Sequence, residues 1–510
     1  MPESLRCVPT DSLIVGWDFS TGSVKAIAFD LAGQAVAEVR FPTDLWTEQG
    51  VSELSILQLE GQARASARAL AAQLQEAGRL GHWLATGISA THHTSGRIDV
   101  LGNQVRRMIC WNDQTLAKFH AEGLKRIGGQ ERARELTGGP WAERYSLSHL
   151  VKDERTLSRT EWNRTRWIQS HGSLAAGFLT GRFDCISVSS AASTGILDLR
   201  TEQWCQPMLG ALLQPEHSEQ AWNNLPQILK EHEPIGQLAE HVALDAGLPQ
   251  GVRPLFFPTL DDQAAGLVGG GATEAGQLAI ILGNSAVVNS SSEILPQSGN
   301  LDAMRLNWHR YLWMRCYSNG AQFLDQVVGF KPDWDALEAA AREVPAGCGG
   351  VRVLPFVLSE PSVGVKKPRF EWLGEEPQEP GVRVRASFEA IAYLIALGVR
   401  EHEEAGQQVK RITVSGGIAR SDLMCEILAS ALNKPIVRLV SDEGPALGAA
   451  VNALAGLENV MRKEKGIAEP FTIADAVATL VKFRDTVEPR SDWAKVYAGE
   501  VNHFAEAIRK

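Results

Sequence analysis

Apolar and polar positions alternate through Leu13 to Phe29, LIVGWDFSTGSVKAIAF, in a strand, turn and strand pattern. The period predicts one strand over Leu13 to Trp17, a polar turn over Asp18 to Ser23 and a second strand over Val24 to Phe29. Further on, Ile56, Leu59, Ala63, Ala67, Leu70 and Leu74 recur at helical spacing, which predicts a helix over Glu53 to Gln75 with Ser52 as its N-cap. Trp83 to Ala90 (WLATGISA) reads as a buried strand running into the polar segment Thr91 to Gly96. Met108 to Trp111 is another short apolar run, stopped by Asn112-Asp113, and a helical, more polar region follows from Gln114 to about Thr180. Strands alternating with helices predict an α/β domain with a largely parallel sheet.

The character changes at Arg253 to Gln263, RPLFFPTLDDQ, where an apolar strand delivers two adjacent carboxylates into the small-residue stretch Ala264 to Ala272. A domain boundary is expected here, dividing the chain into 11–257 and 258–500. Gln277 to Ser290 (QLAIILGNSAVVNS) then repeats the strand, small turn and strand plan of the opening, which points to an internal duplication. Arg411 to Ala450 supplies a strand (Ile412–Val414), the turn Ser415-Gly416-Gly417 and a helix over Ala419 to Leu432. A strand over Pro435 to Val440 and a helix over Pro445 to Arg462 complete this third unit, which Gly466 closes.

At 510 residues the chain exceeds what one core organises, so two large domains are expected. A net charge of -10 argues against nucleic acid or an anionic membrane as the main partner. Seven scattered Cys with no CxxC pair give no zinc or disulfide framework and fit reduced thiols in a cytoplasmic protein. The chain has no apolar run of membrane-spanning length.

Three small-residue turns, each following a buried strand, carry the candidate chemistry. Turns of this kind aim backbone N–H groups at anions. The first holds one carboxylate, Asp18, with the hydroxyls of Ser20, Thr21 and Ser23 and the ammonium of Lys25 close behind. A carboxylate there does not bind phosphate but can hold a hydrated Mg²⁺ against it. No GxxxxGK[ST] and no GxGxxG between strand and helix occurs. The residues alone therefore describe a two-domain α/β phosphate or nucleotide binder.

GWDFSTGSVKAIAFD, LDDQAAGLVGGG at 260–271, ILGNS at 281–285, VSGGIARSDLMCEILASALNKPIV and EGPALGAAVNAL resemble, in order, the motifs of the FGGY carbohydrate kinases. ISATHHTSGRIDVLGNQVRRMICWND at 88–113 is similar to the sugar-contact segment of that family's xylulokinase branch. The matches span nearly the whole chain. The resemblance implies two duplicated α/β domains of the actin, Hsp70 and sugar-kinase type (ribonuclease H-like) with a central cleft. It implies ATP-dependent, Mg²⁺-assisted phosphorylation of a small-molecule sugar, with xylulose as the expected acceptor. A homodimer is compatible with it, and the oligomeric state stays open.

By that resemblance, Asp262 is the general base, matched through its spacing to Gly269, and Asp18 holds Mg²⁺. Thr21, Ser23 and Lys25 contact phosphates from one side, and Gly283, Asn284 and Ser285 from the other. Gly416 and Gly417 lie against the adenosine. His93, Trp111, Asp113 and Gln263 contact the sugar together with Asp262, while His92 is expected to point away from His93 as alternate strand positions do. The chain departs from the family pattern at Ser20 and Asp261, where Gly is usual, and at Asn284, where Thr is usual. Two carboxylates side by side repel, and one pKa is expected to rise. A kinase for another acceptor (ribulose, fuculose or glycerol) and a non-catalytic ATP- and sugar-binding relative remain the alternatives.

Overall fold

The protein is described as a computed structural model covering residues 6–299, 301–329 and 332–510. It divides into two compact units that do not follow chain order. The first comprises residues 1–269, 303–312 and 445–481, and the second comprises 270–302, 313–444 and 482–510. The helix expected over Pro445 to Arg462, which lies in 258–500 by chain order, therefore falls in the first unit.

The opening hairpin forms, but its turn is tighter than the polar residues suggest. The first strand runs Leu13–Phe19 and the second Ser23–Asp30, with Asp18 paired to Lys25 across the antiparallel ladder. Asp18 is thus a strand residue, and only Ser20 to Gly22 turn the chain. Ser20 builds that turn: its N–H and hydroxyl both donate to the Ser23 carbonyl oxygen (each 2.9 Å), and its Oγ accepts from the Ser23 N–H (3.1 Å). A hydroxyl that closes the turn onto its own backbone explains how Ser stands where Gly is usual.

Around this hairpin the first sheet orders its strands Gly236–Gln237, Leu255–Phe256, Trp83–Ala90, Leu13–Phe19, Ser23–Asp30 and Ala35–Pro42. Leu13–Phe19 pairs parallel with Trp83–Ala90 on one side and antiparallel with Ser23–Asp30 on the other. The sheet is mixed rather than largely parallel, because the three opening strands connect by tight turns and must reverse. The first helix is Ile56–Glu76, and all six residues of the predicted stripe are buried. It starts later than expected. Val51–Leu54 is a strand paired to Met108–Ile109, so Ser55 caps the helix and accepts from the Gln58 N–H, while Ser52 bonds Asn112.

The second unit repeats the strand order. Its sheet runs Asp302–Arg305, Tyr311–Tyr317, Ala286–Ser292, Gln277–Leu282, Arg411–Ser415, Ile436–Leu439 and Phe483–Val487. Gln277–Leu282 pairs antiparallel with Ala286–Ser292 and parallel with Arg411–Ser415. Each half is thus an antiparallel hairpin extended by a parallel crossover strand, the arrangement a duplication leaves. The turn after Arg411–Ser415 is followed by a short 3₁₀ segment, Gly417–Arg420. The helix proper is then Asp422–Leu432, capped by Ser421.

In the first unit the helix Gly444–Glu464 lies close on the strands, because only glycine fits beneath it. A Cβ on Gly16 would lie 1.8 Å from the Ala446 carbonyl oxygen, and one on Gly87 1.9 Å from that of Ala449. Small residues on both sides let backbone meet backbone, and this packing backs the strand ends that carry Asp18 and Ser89.

Candidate functional site

Three neighbouring strand ends converge in the first unit. Asp18 sits near the end of Leu13–Phe19, opposite Ser89 of Trp83–Ala90, and accepts a hydrogen bond from the Ser89 hydroxyl (3.0 Å). Leu260–Asp261 pairs with the last residues of the same central strand, so Asp261 faces Ala90 in register. The helix Asp262–Gly269 starts at once. Asp18 and Asp262 are therefore delivered from strands flanking a common neighbour.

The adjacent carboxylates divide their duties. Asp261 is buried, and its Oδ1 accepts from the backbone N–H groups of Gln263 (3.0 Å) and Ala264 (2.9 Å), the N-cap position of the helix. Its Oδ2 accepts from the Ser189 hydroxyl (2.8 Å). Asp262 does not cap. Its Oδ1 accepts weakly, from the His92 N–H at 3.3 Å and the Gln263 side-chain amide at 3.4 Å. Burial, then the like charges of Asp261 and Asp18, push the Asp262 carboxyl well above the ordinary carboxylate range. The rise expected for one of the pair falls on Asp262, the carboxyl with few strong donors.

His92 and His93 do not alternate across a strand. The chain between Trp83–Ala90 and the next strand, Ser95–Ile98, is a turn, and His93 adopts a left-handed backbone (φ 58°). Their rings stack with centroids 3.6 Å apart, and Tyr145 continues the stack at 4.2 Å from His93. His92 Nδ1 lies 3.7 Å from Asp261 Oδ1. His93 Nδ1 lies 2.8 Å from the Ser193 carbonyl oxygen, while its Nε2 is buried with no hydrogen-bond partner among the described residues. Burial holds the imidazole well below its ordinary pKa, so the ring is neutral. A carbonyl only accepts, which places the proton on Nδ1 and leaves Nε2 as a lone-pair acceptor.

The expected sugar-side residues Trp111 and Asp113 sit differently. Trp111 stands on the turn after the strand Gln104–Ile109 and is 45% exposed. Asp113 is buried and committed, with the Lys152 ammonium at 2.8 Å and the Thr115 N–H at 2.8 Å on its two oxygens. Gln263 lies in the first turn of the Asp262 helix, its amide on Asp262. Lys25 is buried in the second strand, whereas Thr21 and Ser23 are half-buried at the hairpin end.

Sequence reasoning missed the segment around Val188–Ala192. Ser189 holds Asp261, the Ser193 carbonyl holds His93, and Asn307 Oδ1 accepts from the Ser189 N–H (3.0 Å). The run SVSSAAST was the available signal: small hydroxyl residues in a buried apolar context need partners.

In the second unit Gly283, Asn284 and Ser285 turn between paired strands, with the Gly283 N–H on the Ser285 carbonyl (2.9 Å). The turn is clamped from behind: Gly320 N–H donates to the Asn284 carbonyl (3.0 Å) and Ala321 N–H to that of Gly283 (2.8 Å). The Asn284 side chain is exposed. Gly416 has φ 97°, and a Cβ there would lie 2.4 Å from the Leu282 carbonyl oxygen. The Gly283–Ser285 turn and the Gly416-Gly417 turn are therefore neighbours at the ends of parallel strands, as Ile281 facing Ser415 requires.

Residues 13–269 match the N-terminal domain of the FGGY family of carbohydrate kinases, and residues 301–457 match its C-terminal domain. A protein named xylulose kinase from Escherichia coli is 26% identical over 461 residues, covering 86% of this chain and 89% of its own. One named glycerol kinase from Alkalilimnicola ehrlichii is also 26% identical, over 476 residues with the same two coverages. Among solved structures, a ligand-bound xylulose kinase from Lactobacillus acidophilus superposes with a TM-score of 0.84 at 18% identity, covering 98% of each chain. No described helix is long and apolar enough to cross a membrane. The chain belongs to the FGGY family of carbohydrate kinases.

Proposed function

We propose that the protein transfers the γ-phosphoryl group of MgATP to a hydroxyl of a small ketose, with xylulose as the acceptor of choice. The observation that carries this reading is the combination of the Asp262 carboxyl, kept out of the helix cap and held only by long hydrogen bonds, with the buried, unpaired Nε2 of His93 beside the stacked His92 ring. His93 Nε2 accepts one acceptor hydroxyl and so orients the sugar. Asp262 takes the proton of the reacting hydroxyl, whose oxygen forms the new P–O bond as the bond to the ADP oxygen breaks. A carboxyl pushed upward is the better proton acceptor once ionised. The rest of the rate comes from in-line positioning and charge neutralisation.

The carboxylate oxygens of Asp18 suit a hard divalent cation, and the Ser89 hydroxyl steadies one of them. Asp18 would hold Mg²⁺, which supplies positive charge against the phosphates. Thr21, Ser23 and Lys25, with the Gly283–Ser285 turn, are proposed to contact those phosphates, and Gly416 and Gly417 the adenosine. Trp111, Asp113 and Gln263 complete the proposed acceptor set. A cytoplasmic setting belongs to the same proposal and is supported by seven cysteines that carry free thiols.

Relatives named for xylulose and for glycerol match to similar extents, so the acceptor is the point to test. A panel of xylulose, ribulose, fuculose, gluconate and glycerol with MgATP, followed by ADP release, tests it. Xylulose leading by kcat/KM is expected. Glycerol leading overturns the acceptor, and turnover of none overturns the kinase reading.

A further inference from the structure

Ser189 clamps Asp261 at two points: its hydroxyl donates to Asp261 Oδ2 (2.8 Å) and accepts the Asp261 N–H (3.2 Å). Behind it, Asn307 accepts from the Ser189 N–H at 3.0 Å and donates its amide to the Thr259 carbonyl at 3.2 Å. The hydrogen bonds close a loop from Thr259 through Asn307 and Ser189 to Asp261, two residues beyond Thr259. All four residues are buried, none more than 3% exposed. A buried carboxylate needs hydrogen-bond donors, and Asp261 accepts from three, two on Oδ1 and one on Oδ2. The segment carrying Asn307 is anchored in turn by Arg305 and His309, whose side chains reach Glu202 at 2.7 and 2.8 Å.

Consider what this does to Asp262. The first turn of a helix offers unsatisfied N–H groups, and a carboxylate at its start readily accepts them. In this chain Asp261 takes the Gln263 and Ala264 N–H groups. Asp262, one position on, is relieved of capping and stays available to a substrate.

We propose that Asp261 is a positioning residue for phosphoryl transfer: locked by Ser189 and Asn307, it caps the helix and thereby fixes where the Asp262 carboxyl stands. The proposal rests on the reading of Asp262 as the base. It predicts that Asp261 acts on kcat and leaves ground-state binding of ATP and sugar alone.

The experiment compares D261A, D261N and S189A with the wild type, measuring kcat, KM for ATP, KM for the accepted sugar and the thermal midpoint. D261A should lose on the order of 10- to 100-fold in kcat, the scale of a misplaced reacting group. Both KM values should stay within about threefold. D261N should recover most of kcat, since Asn caps as well as Asp and the Ser189 hydroxyl can accept from its amide. S189A should fall between. Unchanged kcat in D261A, or D261N as impaired as D261A, overturns the proposal, as does a lowered midpoint with kcat per folded molecule intact. If D261A does not fold, S189A decides: reduced kcat at unchanged KM supports the proposal, and wild-type kcat overturns it. Failure of the wild type to phosphorylate any sugar is a different result, which removes the kinase reading itself.

Discussion

The Nδ1 of His93 lies 2.8 Å from the carbonyl oxygen of Ser193, and that contact decides what the other ring nitrogen can do. A donor is required at Nδ1, so Nε2 accepts. Held between His92 and Tyr145 in a left-handed backbone, the ring has little freedom to turn. A sugar hydroxyl is a natural partner for a fixed acceptor, because an analogue lacking it leaves Nε2 buried and unpaired.

His93→Ala should therefore weaken selection among sugars. Loss of one buried polar contact should cost roughly 1–3 kcal/mol in transition-state binding of the preferred sugar. Slow ATP hydrolysis without sugar should be nearly unchanged. Measuring kcat/KM for xylulose, ribulose and glycerol on both proteins checks this, and identical preferences would remove His93 from the acceptor site.

The close approach of Gly16 to Ala446 gives a stability prediction that owes nothing to catalysis. A methyl group at Gly16 has no room, with backbone oxygen 1.8 Å from its position, and backbone cannot swing aside as a long side chain can. Gly16→Ala should destabilise by at least the 1–3 kcal/mol or so typical of overpacking. Gly22→Ala, whose Cβ would meet nothing within 4 Å, serves as the control. Urea unfolding of both variants would expose an error if they matched each other.

Much of this architecture was readable from pattern, and the failures share a cause. The buried stripe Ile56 to Leu74 and the strand Trp83–Ala90 were visible because their periods persist over many residues. Asp18 was misplaced into a turn because composition ranks Asp as polar, whereas the ladder carries it opposite Lys25. Alternation of elements points to a largely parallel sheet but does not encode strand direction, and the sheet is mixed. His92 and His93 misled because strand alternation was applied to a turn. At the candidate site, the motifs single out Asp18 and Asp262, and the structure carries them on elements flanking one common strand. They do not single out Ser189, Ser193 and Asn307, since a helix of five residues and a distant segment reach Asp261 and His93 only through tertiary contacts. The assignment of Gly444–Glu464 to the first unit lay likewise beyond local pattern.

Asp113 offers a test that separates fold from recognition. Burial alone would raise its carboxyl, but the Lys152 and Thr115 donors outweigh that and hold it below the ordinary carboxylate value. Asp113→Ala leaves a buried ammonium without its partner, and a cost of roughly 3–5 kcal/mol is expected. The sign with pH follows from the lowered folded-state pKa. The pair contributes stability above the unfolded carboxylate pKa and loses it as pH falls through the folded value. The stability gap between wild type and Asp113→Asn should therefore shrink on acidification. If the gap is flat with pH while the sugar KM rises, the carboxylate serves the acceptor and not the fold.

Asp262 should show the opposite sign, which makes it the sharpest prediction. Its folded-state carboxyl is raised by burial and by the neighbouring charges of Asp261 and Asp18. An acid whose pKa rises on folding binds more protons in the native state than in the unfolded state between the two values. Stability then falls as pH rises through that window, and the penalty is complete above the folded pKa. Asp262→Asn removes the charge, so it should be more stable than wild type at neutral pH, with the difference vanishing below the unfolded carboxylate pKa. The same substitution removes the base and should lower sugar phosphorylation on the order of 10²- to 10⁴-fold while nucleotide binding persists. Wild-type activity should itself fall on the acid side, as the raised carboxyl takes up its proton and can no longer accept one. Thermal midpoints of both proteins across the acidic and neutral range, beside the pH profile of kcat/KM, test all three parts. A variant less stable at neutral pH would show that the ionised carboxyl is not disfavoured by its surroundings, and one as active as wild type would show that it is not the base.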